Sequence, residues 1–237
     1  MSLPFVGRAK EVSRLIQLHA QRKHVLLLGP AGVGKSALLA HLREQIPLLL
    51  CPHAEHLGEI CDGLEAELHL PAADLKLGQR KPRLRLALAE AGRTVVFDGL
   101  GWTTPKLSSF LESVMKRVPV WLGARTEHSW DIGHFWLQLA RFERVELHPF
   151  HLAETQALIE ATVKRGVIPP GTLRIVEWLQ RRSAGSPLGL RQLFAELTTG
   201  HYDLSNPLAL RRLDLDRRIH EVLPVSDEAP VTWGRKR

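Results

Sequence analysis

The sequence predicts an α/β fold in which helices cover both faces of a parallel five-stranded β-sheet and a small helical domain follows. Five short apolar stretches alternate with stretches of helical period along residues 1–150. These stretches are too continuous for a sheet with one face in water, which favours a parallel sheet covered on both sides. Only helical patterns follow residue 150, and they predict the second domain.

The predicted strands are short apolar runs bounded by charged residues, glycine or proline. They cover residues 25–28, 46–51, 93–98, 118–124 and 144–147. The helices between them repeat apolar side chains every three or four residues. They cover residues 9–20, 35–44, 54–70, 82–91, 105–116 and 132–141. Residues 1–150 are therefore expected to form the α/β core.

Three further helical patterns predict the helical domain, residues 151–200. They cover residues 152–164, 172–182 and 187–198. A unit of this size buries too little surface to fold well alone, so we expect it to dock on the sheet domain. In the remaining segment, 201–237, we expect a last helix at 207–222 and then a flexible tail, because residues 224–237 are polar and contain proline.

The composition, with 44% hydrophobic and 24% charged residues, is ordinary for a soluble globular protein. The longest apolar runs have strand length, so no membrane span is expected. The N-terminus lacks the apolar stretch of a signal peptide, and only two cysteines are present, so we expect a reducing, cytoplasmic location. A net charge of +7 and a pI of about 9.8 favour polyanionic partners.

Aromatic and metal-binding residue types add two expectations. The twelve histidines show no H-E-x-x-H pattern and no grouping with cysteine, so no structural zinc is predicted. Four of the six tryptophans lie in or beside predicted elements and are expected in the core or between domains. They are Trp102, Trp121, Trp136 and Trp178.

A glycine-rich turn after the first strand carries the strongest motif, since residues 29–36 fit G-x-x-x-x-G-K-[ST]. Glycines let backbone N–H groups converge on a polyphosphate, and the following helix N-terminus adds positive potential. Lys35 would reach the β- and γ-phosphates, and Ser36 would ligand Mg²⁺. The alternative is a glycine turn that joins strand and helix without a ligand. The predicted nucleotide-binding residues are Gly29, Pro30, Ala31, Gly32, Val33, Gly34, Lys35, Ser36 and Ala37.

A second motif follows about sixty residues later, where the apolar strand V-V-F ends in Asp98. This is the Walker B arrangement. Beside the P-loop strand, Asp98 would hold the shell of the Mg²⁺ ion together with Ser36. The alternative is an aspartate that caps the turn after the strand.

Six segments in this order resemble the AAA+ class of P-loop ATPases, in particular its STAND-like and initiator-like branches. They are FVGR, GPAGVGKS, VVFDGLGW, VWLGART, ARFERVELHPF and SAGSPLGLRQL. The resemblance covers about residues 4–198. It implies a P-loop NTPase core with strand order 5-1-4-3-2, a helical lid, ATP between the two, and assembly into homo-oligomers.

The resemblance also implies roles for individual residues. Pro187, in G-S-P-L, would pack near the base. Arg125 falls at the sensor position after the fourth strand, and Arg141 resembles the arginine finger that acts on a neighbouring subunit's ATP. The residues implied near the adenine are Val6, Gly7 and Arg8. The implied catalytic residues are Lys35, Asp98, Arg125 and Arg141.

Each of these roles has a simpler alternative. Arg125 could be a solvent-facing loop charge. Arg141 could be a cation favoured by the dipole at a helix C-terminus. Pro187 could simply begin a helix, where proline is common.

Two departures from the family pattern bear on chemistry. The family places a second acid directly after the Walker B aspartate, and this chain has Gly99 there. Since a positioned base contributes typically 10²–10⁴-fold, we expect slow hydrolysis, with ATP acting as a conformational switch. The lid helix also lacks an arginine at the usual sensor position after Gly185. Arg191, one turn later, is a weak substitute.

The expected task is that of an ATP-dependent regulator or loader acting on DNA. A segment with five cations and no acid, residues 76–85, is the candidate contact with a phosphate backbone. Its cations are Lys76, Arg80, Lys81, Arg83 and Arg85. The alternative for this segment is a solvated loop. The alternatives for the whole chain are a STAND-like signalling switch and a nucleotide-binding scaffold, each acting on a protein partner.

Overall fold

A computed structural model of the chain describes residues 3–54, 56–71, 75–124, 132–200 and 202–222. The strands are β1 (His24–Leu28), β2 (Leu48–Cys51), β3 (Thr94–Leu100), β4 (Val120–Ala124) and β5 (Phe142–Glu146). The helices are α1 (Ala9–Ala20), α2 (Lys35–Arg43), α3 (Leu57–Glu67), α4 (Leu77–Ala91), α5 (Pro105–Met115), α6 (Leu152–Lys164), α7 (Val176–Ser183), α8 (Pro187–Thr199) and α9 (Pro207–Val222). Two 3₁₀ helices cover Trp136–Arg141 and Pro170–Ile175.

The five strands form one parallel sheet in the order β2-β3-β4-β1-β5. Read from the other edge this is 5-1-4-3-2, so the predicted fold class and strand order are confirmed. The carboxyl ends of all strands lie at one edge of a parallel sheet. The residues that follow β1 and β3 therefore meet at the same edge, where sheets of this kind hold their ligands.

Successive residues of β1 point to opposite faces of the sheet and are buried on both. Leu26 and Leu28 pack with side chains of α3, α4 and α5, whereas Val25 and Leu27 pack with side chains of α1 and α2. This two-sided burial explains why the strand sequences are apolar without alternation.

Two predicted helices of the core differ from those observed. α4 begins five residues before the predicted start, and Pro82 lies inside it. The proline removes only the bond that its N–H would have made to the Gly78 carbonyl, within the first two turns of the helix. The predicted helix at 132–141 is a 3₁₀ helix over Trp136–Arg141, where N–H groups bond three residues back, as from Trp136 to Gly133.

Helices α6 to α9 share a separate apolar core that includes Leu158, Leu179 and Phe194. Leu213 of α9 is fully buried in the same core, so the helical layer continues past residue 200. Within the described ranges, no helix is both long enough and apolar enough to cross a membrane.

Candidate nucleotide site

The P-loop connects β1 to α2 at the carboxyl edge of the sheet. At its start, the φ of Gly29 is 140°, and a Cβ there would lie 2.5 Å from the carbonyl oxygen of Leu147, which follows β5. Only glycine allows this approach of two backbones. The sequence motif is therefore realised as a tight loop that begins against the end of the neighbouring strand.

Helix α2 starts at Lys35, so its N-terminus faces the loop. The Lys35 ammonium donates to the carbonyl oxygens of Gly29 (2.5 Å) and Pro30 (3.1 Å). Ser36 and Ala37, in the first turn, are exposed towards the adjoining cavity. Positive charge and backbone N–H donors thus converge at the loop, as an anion requires.

Asp98 lies near the carboxyl end of β3 and is 7% exposed. It pairs with Gly123 of β4, which in turn pairs with Leu27 of β1 two residues before the P-loop. One Asp98 carboxylate oxygen accepts a hydrogen bond of 2.9 Å from the Gly99 N–H. The fold therefore brings Asp98 to the edge that holds Ser36.

A cavity of about 1020 Å³ opens beside the P-loop and is lined by three parts of the chain. The N-terminal segment contributes Leu3, Pro4, Phe5, Val6 and Arg8. The loop and α2 contribute Gly32, Val33, Gly34, Lys35, Ser36, Ala37, Ala40, His41 and Glu44. The helical part after β5, α6 to α9, is called the lid below. The lid and the segment that leads into it contribute Phe150, Leu158, Arg165, Pro187, Leu188 and Arg191.

Arg8 is positioned by the protein itself. It is 6% exposed and donates to the carbonyl oxygens of Val33 (3.2 Å) and His148 (2.5 Å). Its guanidinium also pairs with Glu11 and lies 4.8 Å from the centre of the Phe150 ring. Arg8 therefore joins the N-terminal segment, the P-loop and the start of the lid. Of its predicted companions at the adenine, Val6 lines the cavity, whereas Gly7 does not.

The lid contacts the P-loop directly. The Gly32 carbonyl oxygen accepts hydrogen bonds from the Leu188 N–H (3.1 Å) and the Ser186 hydroxyl (3.3 Å). Ser186 also caps α8 by accepting from the Gly189 N–H. A Cβ at Gly32 would lie 2.6 Å from the Leu188 Cβ. Pro187 begins α8 and lines the cavity, so the N-termini of α2 and α8 face the same space.

Several cavity residues were not predicted from the sequence. Beyond the predicted Ser36 and Ala37, Ala40 and His41 lie on the same face of α2 and Glu44 follows directly after it, and this helical spacing was the available signal. The Phe5 and His41 rings stack at 4.0 Å on this side of the cavity. Arg165 follows α6, and no motif marks it. Arg191, weighed only as a weak substitute, lines the cavity.

The site fits a nucleoside triphosphate with Mg²⁺. The cavity beside the loop has the size of a small-molecule site, with room for a base and sugar beyond the phosphates. The described residues contain no group of three or more His, Cys, Asp or Glu suited to a metal. A Mg²⁺ ion here would be held by Ser36 and Asp98 together with phosphate and water oxygens.

The structure describes only one of the two arginines that the resemblance implies as catalytic. Arg125 lies outside the described residues. Arg141 is exposed at the start of β5, beside His24 at the start of β1. Burial first, and the charge of Arg141 second, lower the pKa of His24. Since β5 runs on the order of 17 Å from this end to the P-loop end, Arg141 does not reach the phosphate site of its own chain.

The basic segment makes contacts within the protein. Arg80 pairs with two carboxylates of α3, those of Asp62 and Glu65, at 2.5 and 2.7 Å, and these bonds raise its pKa. Arg83 donates to the Pro71 carbonyl oxygen. The contact of all five cations with a polyanion stays a prediction, and for Arg80 the ion pairs with acids outside the segment compete with it.

The predicted burial of four tryptophans is only partly observed. Trp121 is buried and donates to the Lys23 carbonyl oxygen, and Trp178 is half-buried against the lid core. Trp102 and Trp136 are 67% and 58% exposed, so their predicted core positions are wrong. Both lie at loop or 3₁₀ positions, where helical or strand periodicity does not determine which face is buried.

Known proteins resemble this chain in sequence and in fold. No protein-family model matches the sequence. A curated relative, the probable ATP-dependent Clp protease ATP-binding subunit of Chlamydia pneumoniae, is 27% identical over 180 residues, covering 68% of this chain. The chain spans only 21% of the length of that relative.

Solved structures share the fold at low sequence identity. The Orc1 protein of Aeropyrum pernix, solved in complex with DNA, has a TM-score of 0.67 and 14% identity, over 93% of this chain and 69% of its own. The STAND protein of Pyrococcus horikoshii with a tetratricopeptide repeat sensor has a TM-score of 0.50 and 16% identity, over 90% and 32%. Together with the P-loop, Asp98 and the lid, these likenesses show that the chain has the fold of the AAA+ class of P-loop ATPases.

Proposed function

We propose that the chain is an ATP-dependent switch of the AAA+ type, which binds Mg-ATP between P-loop and lid and hydrolyses it slowly. The observation that carries this proposal is the contact of the Gly32 carbonyl with α8, through Leu188 and Ser186. The same loop would hold the phosphates. A change in phosphate occupancy would therefore act on the lid without an intermediary.

The residues divide the work of binding. The Lys35 ammonium, now bonded to loop carbonyls, would turn to the β- and γ-phosphates. Ser36 and Asp98 would hold Mg²⁺, which neutralises charge on the phosphate oxygens. The lid residues Pro187 and Arg191 would close the opposite side of the cavity.

Slow turnover follows from the residue after Asp98. Gly99 offers no carboxylate to accept the proton of an attacking water, and a missing general base costs typically 10²–10⁴-fold. Since the median kcat of enzymes is about 10 s⁻¹, we expect turnover below about 0.1 s⁻¹ for the isolated protein.

The expected partners are a second copy of the chain and DNA. Arg141 is exposed and distant from its own P-loop, so a contact with ATP requires a neighbouring copy. A net charge of +7 favours a polyanion, and Orc1, which shares the fold, was solved with DNA. Among the five predicted contacts, Lys76, Lys81, Arg83 and Arg85 remain after the neutralisation of Arg80. We therefore favour a regulator or loader that acts on DNA.

The second candidate is a STAND-like signalling switch, or a nucleotide-binding scaffold, that acts on a protein partner. The observation in its favour is the pairing of Arg80 with Asp62 and Glu65, which weakens the candidate nucleic-acid surface. The fold is also shared with a STAND protein.

Nucleotide binding and single-turnover hydrolysis, each with and without DNA, test the proposal. A fluorescent ATP analogue should bind in the presence of Mg²⁺, and Lys35→Ala should weaken binding about 10- to 100-fold, since hydrogen bonds to charged groups contribute about 1.5–3 kcal/mol. The matched control is Lys10→Ala, which removes the same charge from an exposed position on α1.

The outcomes separate the candidates. DNA binding that weakens steeply with salt and is enhanced by ATP supports the regulator on DNA. Nucleotide binding without DNA affinity at low salt supports the protein-directed switch. Absence of nucleotide binding, or brisk turnover by the isolated chain, contradicts the proposal itself.

A further inference from the structure

Gly123 of β4 lies directly beside the Walker B aspartate. The two residues are partners in the parallel pairing of β3 and β4, so their side-chain directions point to the same face of the sheet. A Cβ built on Gly123 would lie 2.4 Å from Oδ1 of Asp98 and 3.4 Å from its Cγ. The carboxylate thus occupies the space that a side chain at position 123 would need.

The direction of the Asp98 carboxylate bears on where a Mg²⁺ ion would be held. Oδ1 is nearer than Cγ to the Cβ position of Gly123, so the carboxylate extends from β3 over β4. The strand beyond β4 is β1, which leads into the P-loop and Ser36. The Gly99 N–H holds the same oxygen at 2.9 Å. The carboxylate is therefore held over β4, the strand that lies between β3 and the P-loop strand β1.

We propose that Gly123 is a positioning residue for Asp98, whose missing side chain lets the carboxylate cross β4 towards the Mg²⁺ position. This inference rests on the proposed function. With alanine at position 123, a contact of 2.4 Å cannot persist. Because Oδ1 ends a short side chain, the carboxylate would rotate away while the strand pairing is kept. Gly123→Ala would then lose Mg²⁺-dependent affinity as Asp98→Ala does. Its affinity for nucleotide without metal would stay that of wild type.

The experiment measures the affinity for a fluorescent ATP analogue with Mg²⁺ and with EDTA, in four proteins: wild type, Gly123→Ala, Asp98→Ala and the double variant. We expect Gly123→Ala to lose about 10- to 100-fold of the Mg²⁺-dependent gain in affinity, the range for residues that orient metal ligands. Affinity in EDTA should equal that of wild type. The double variant should match Asp98→Ala, because Gly123 acts only through Asp98.

Gly101→Ala is the matched control, since a Cβ there meets no atom within 4 Å, and it should behave as wild type. Thermal unfolding supplies a second readout that needs no nucleotide. If Gly123→Ala unfolds at a lower temperature than wild type, Asp98→Ala should remove the difference, because the smaller side chain makes room for the methyl group.

Two results overturn the inference: a Mg²⁺-dependent gain in Gly123→Ala equal to that of wild type, or a further loss in the double variant beyond Asp98→Ala. Failure of the proposed function is distinguishable, because wild type itself would then show no nucleotide binding. In that case a lower unfolding temperature of Gly123→Ala that Asp98→Ala does not restore would also refute the contact with Asp98.

Discussion

Position 99 carries no acidic side chain, and the backbone conformation there disfavours any side chain. The φ of Gly99 is 74°, in the left-handed region, and the residue lies where the pairing of β3 with β4 shifts register between Asp98 and Leu100. A side chain in this conformation costs about 1–2 kcal/mol. The family's second carboxylate therefore cannot be supplied by one substitution without strain.

We predict that Gly99→Glu lowers the free energy of unfolding by about 1–2 kcal/mol and raises turnover less than tenfold. Urea denaturation and single-turnover hydrolysis measure the two effects. Gly101→Glu is the control, because its φ is not left-handed and a Cβ there meets open space; it should keep the stability of wild type. An increase in turnover of a hundredfold or more in Gly99→Glu would show that the left-handed backbone does not prevent a carboxylate at position 99 from acting as the base.

At the scale of elements, one side chain at the N-terminus of α8 both caps the helix and bonds to the P-loop. The Ser186 hydroxyl oxygen accepts from the Gly189 N–H as the cap of α8, and the hydroxyl donates to the Gly32 carbonyl of the P-loop. The lid therefore bonds directly to the loop. This connection couples the orientation of α8 to the shape of the loop.

We predict that Ser186→Ala lowers the free energy of unfolding by about 1 kcal/mol, the usual cost of a lost N-cap. It should also accelerate nucleotide release several-fold, because the lid loses one of its bonds to the loop. Urea denaturation and stopped-flow release of a fluorescent nucleotide are the measurements. Ser186→Thr keeps a hydroxyl for both bonds and should behave as wild type. Unchanged release from Ser186→Ala would mean that the Leu188 N–H alone couples the lid to the loop.

At the scale of the whole molecule, the two ends of the sheet carry different candidate functional residues. The carboxyl edge holds the P-loop and Asp98, whereas Arg141 is exposed at the amino end of β5. Under the proposed function, one chain would carry an ATP site and, at a distance, the arginine that would complete the site of another chain. A head-to-tail arrangement satisfies both, and such contacts generate rings or filaments.

We predict that Arg141→Ala binds ATP as wild type does but hydrolyses it at least tenfold more slowly at protein concentrations that favour assembly. Lys35→Ala should be nearly inactive at ATP concentrations too low to fill its weakened site. A mixture of the two variants should recover part of the activity, since an intact P-loop can then meet an intact Arg141 of a neighbour. Steady-state hydrolysis against total protein concentration measures this recovery. Absence of recovery, with wild-type activity rising linearly with concentration, would indicate that each chain acts alone.

The sequence by itself determined the strands, most of the helices and the P-loop, because each depends on residues that are adjacent along the chain. Periodicity locates a strand, and the glycines, Lys35 and Ser36 form the loop locally. The strand order came with the family resemblance, and the observed pairing confirms it.

Only the tertiary structure decided which of the candidate functional residues are engaged in contacts within the protein. Arg8 is bound by carbonyls of Val33 and His148, far along the chain, and Arg80 by acids of α3. Gly123 becomes informative only when β3 lies beside β4 and places Asp98 over it. The physical reason is common to all three: each contact joins residues far apart in sequence, and neither composition nor spacing encodes such a distance.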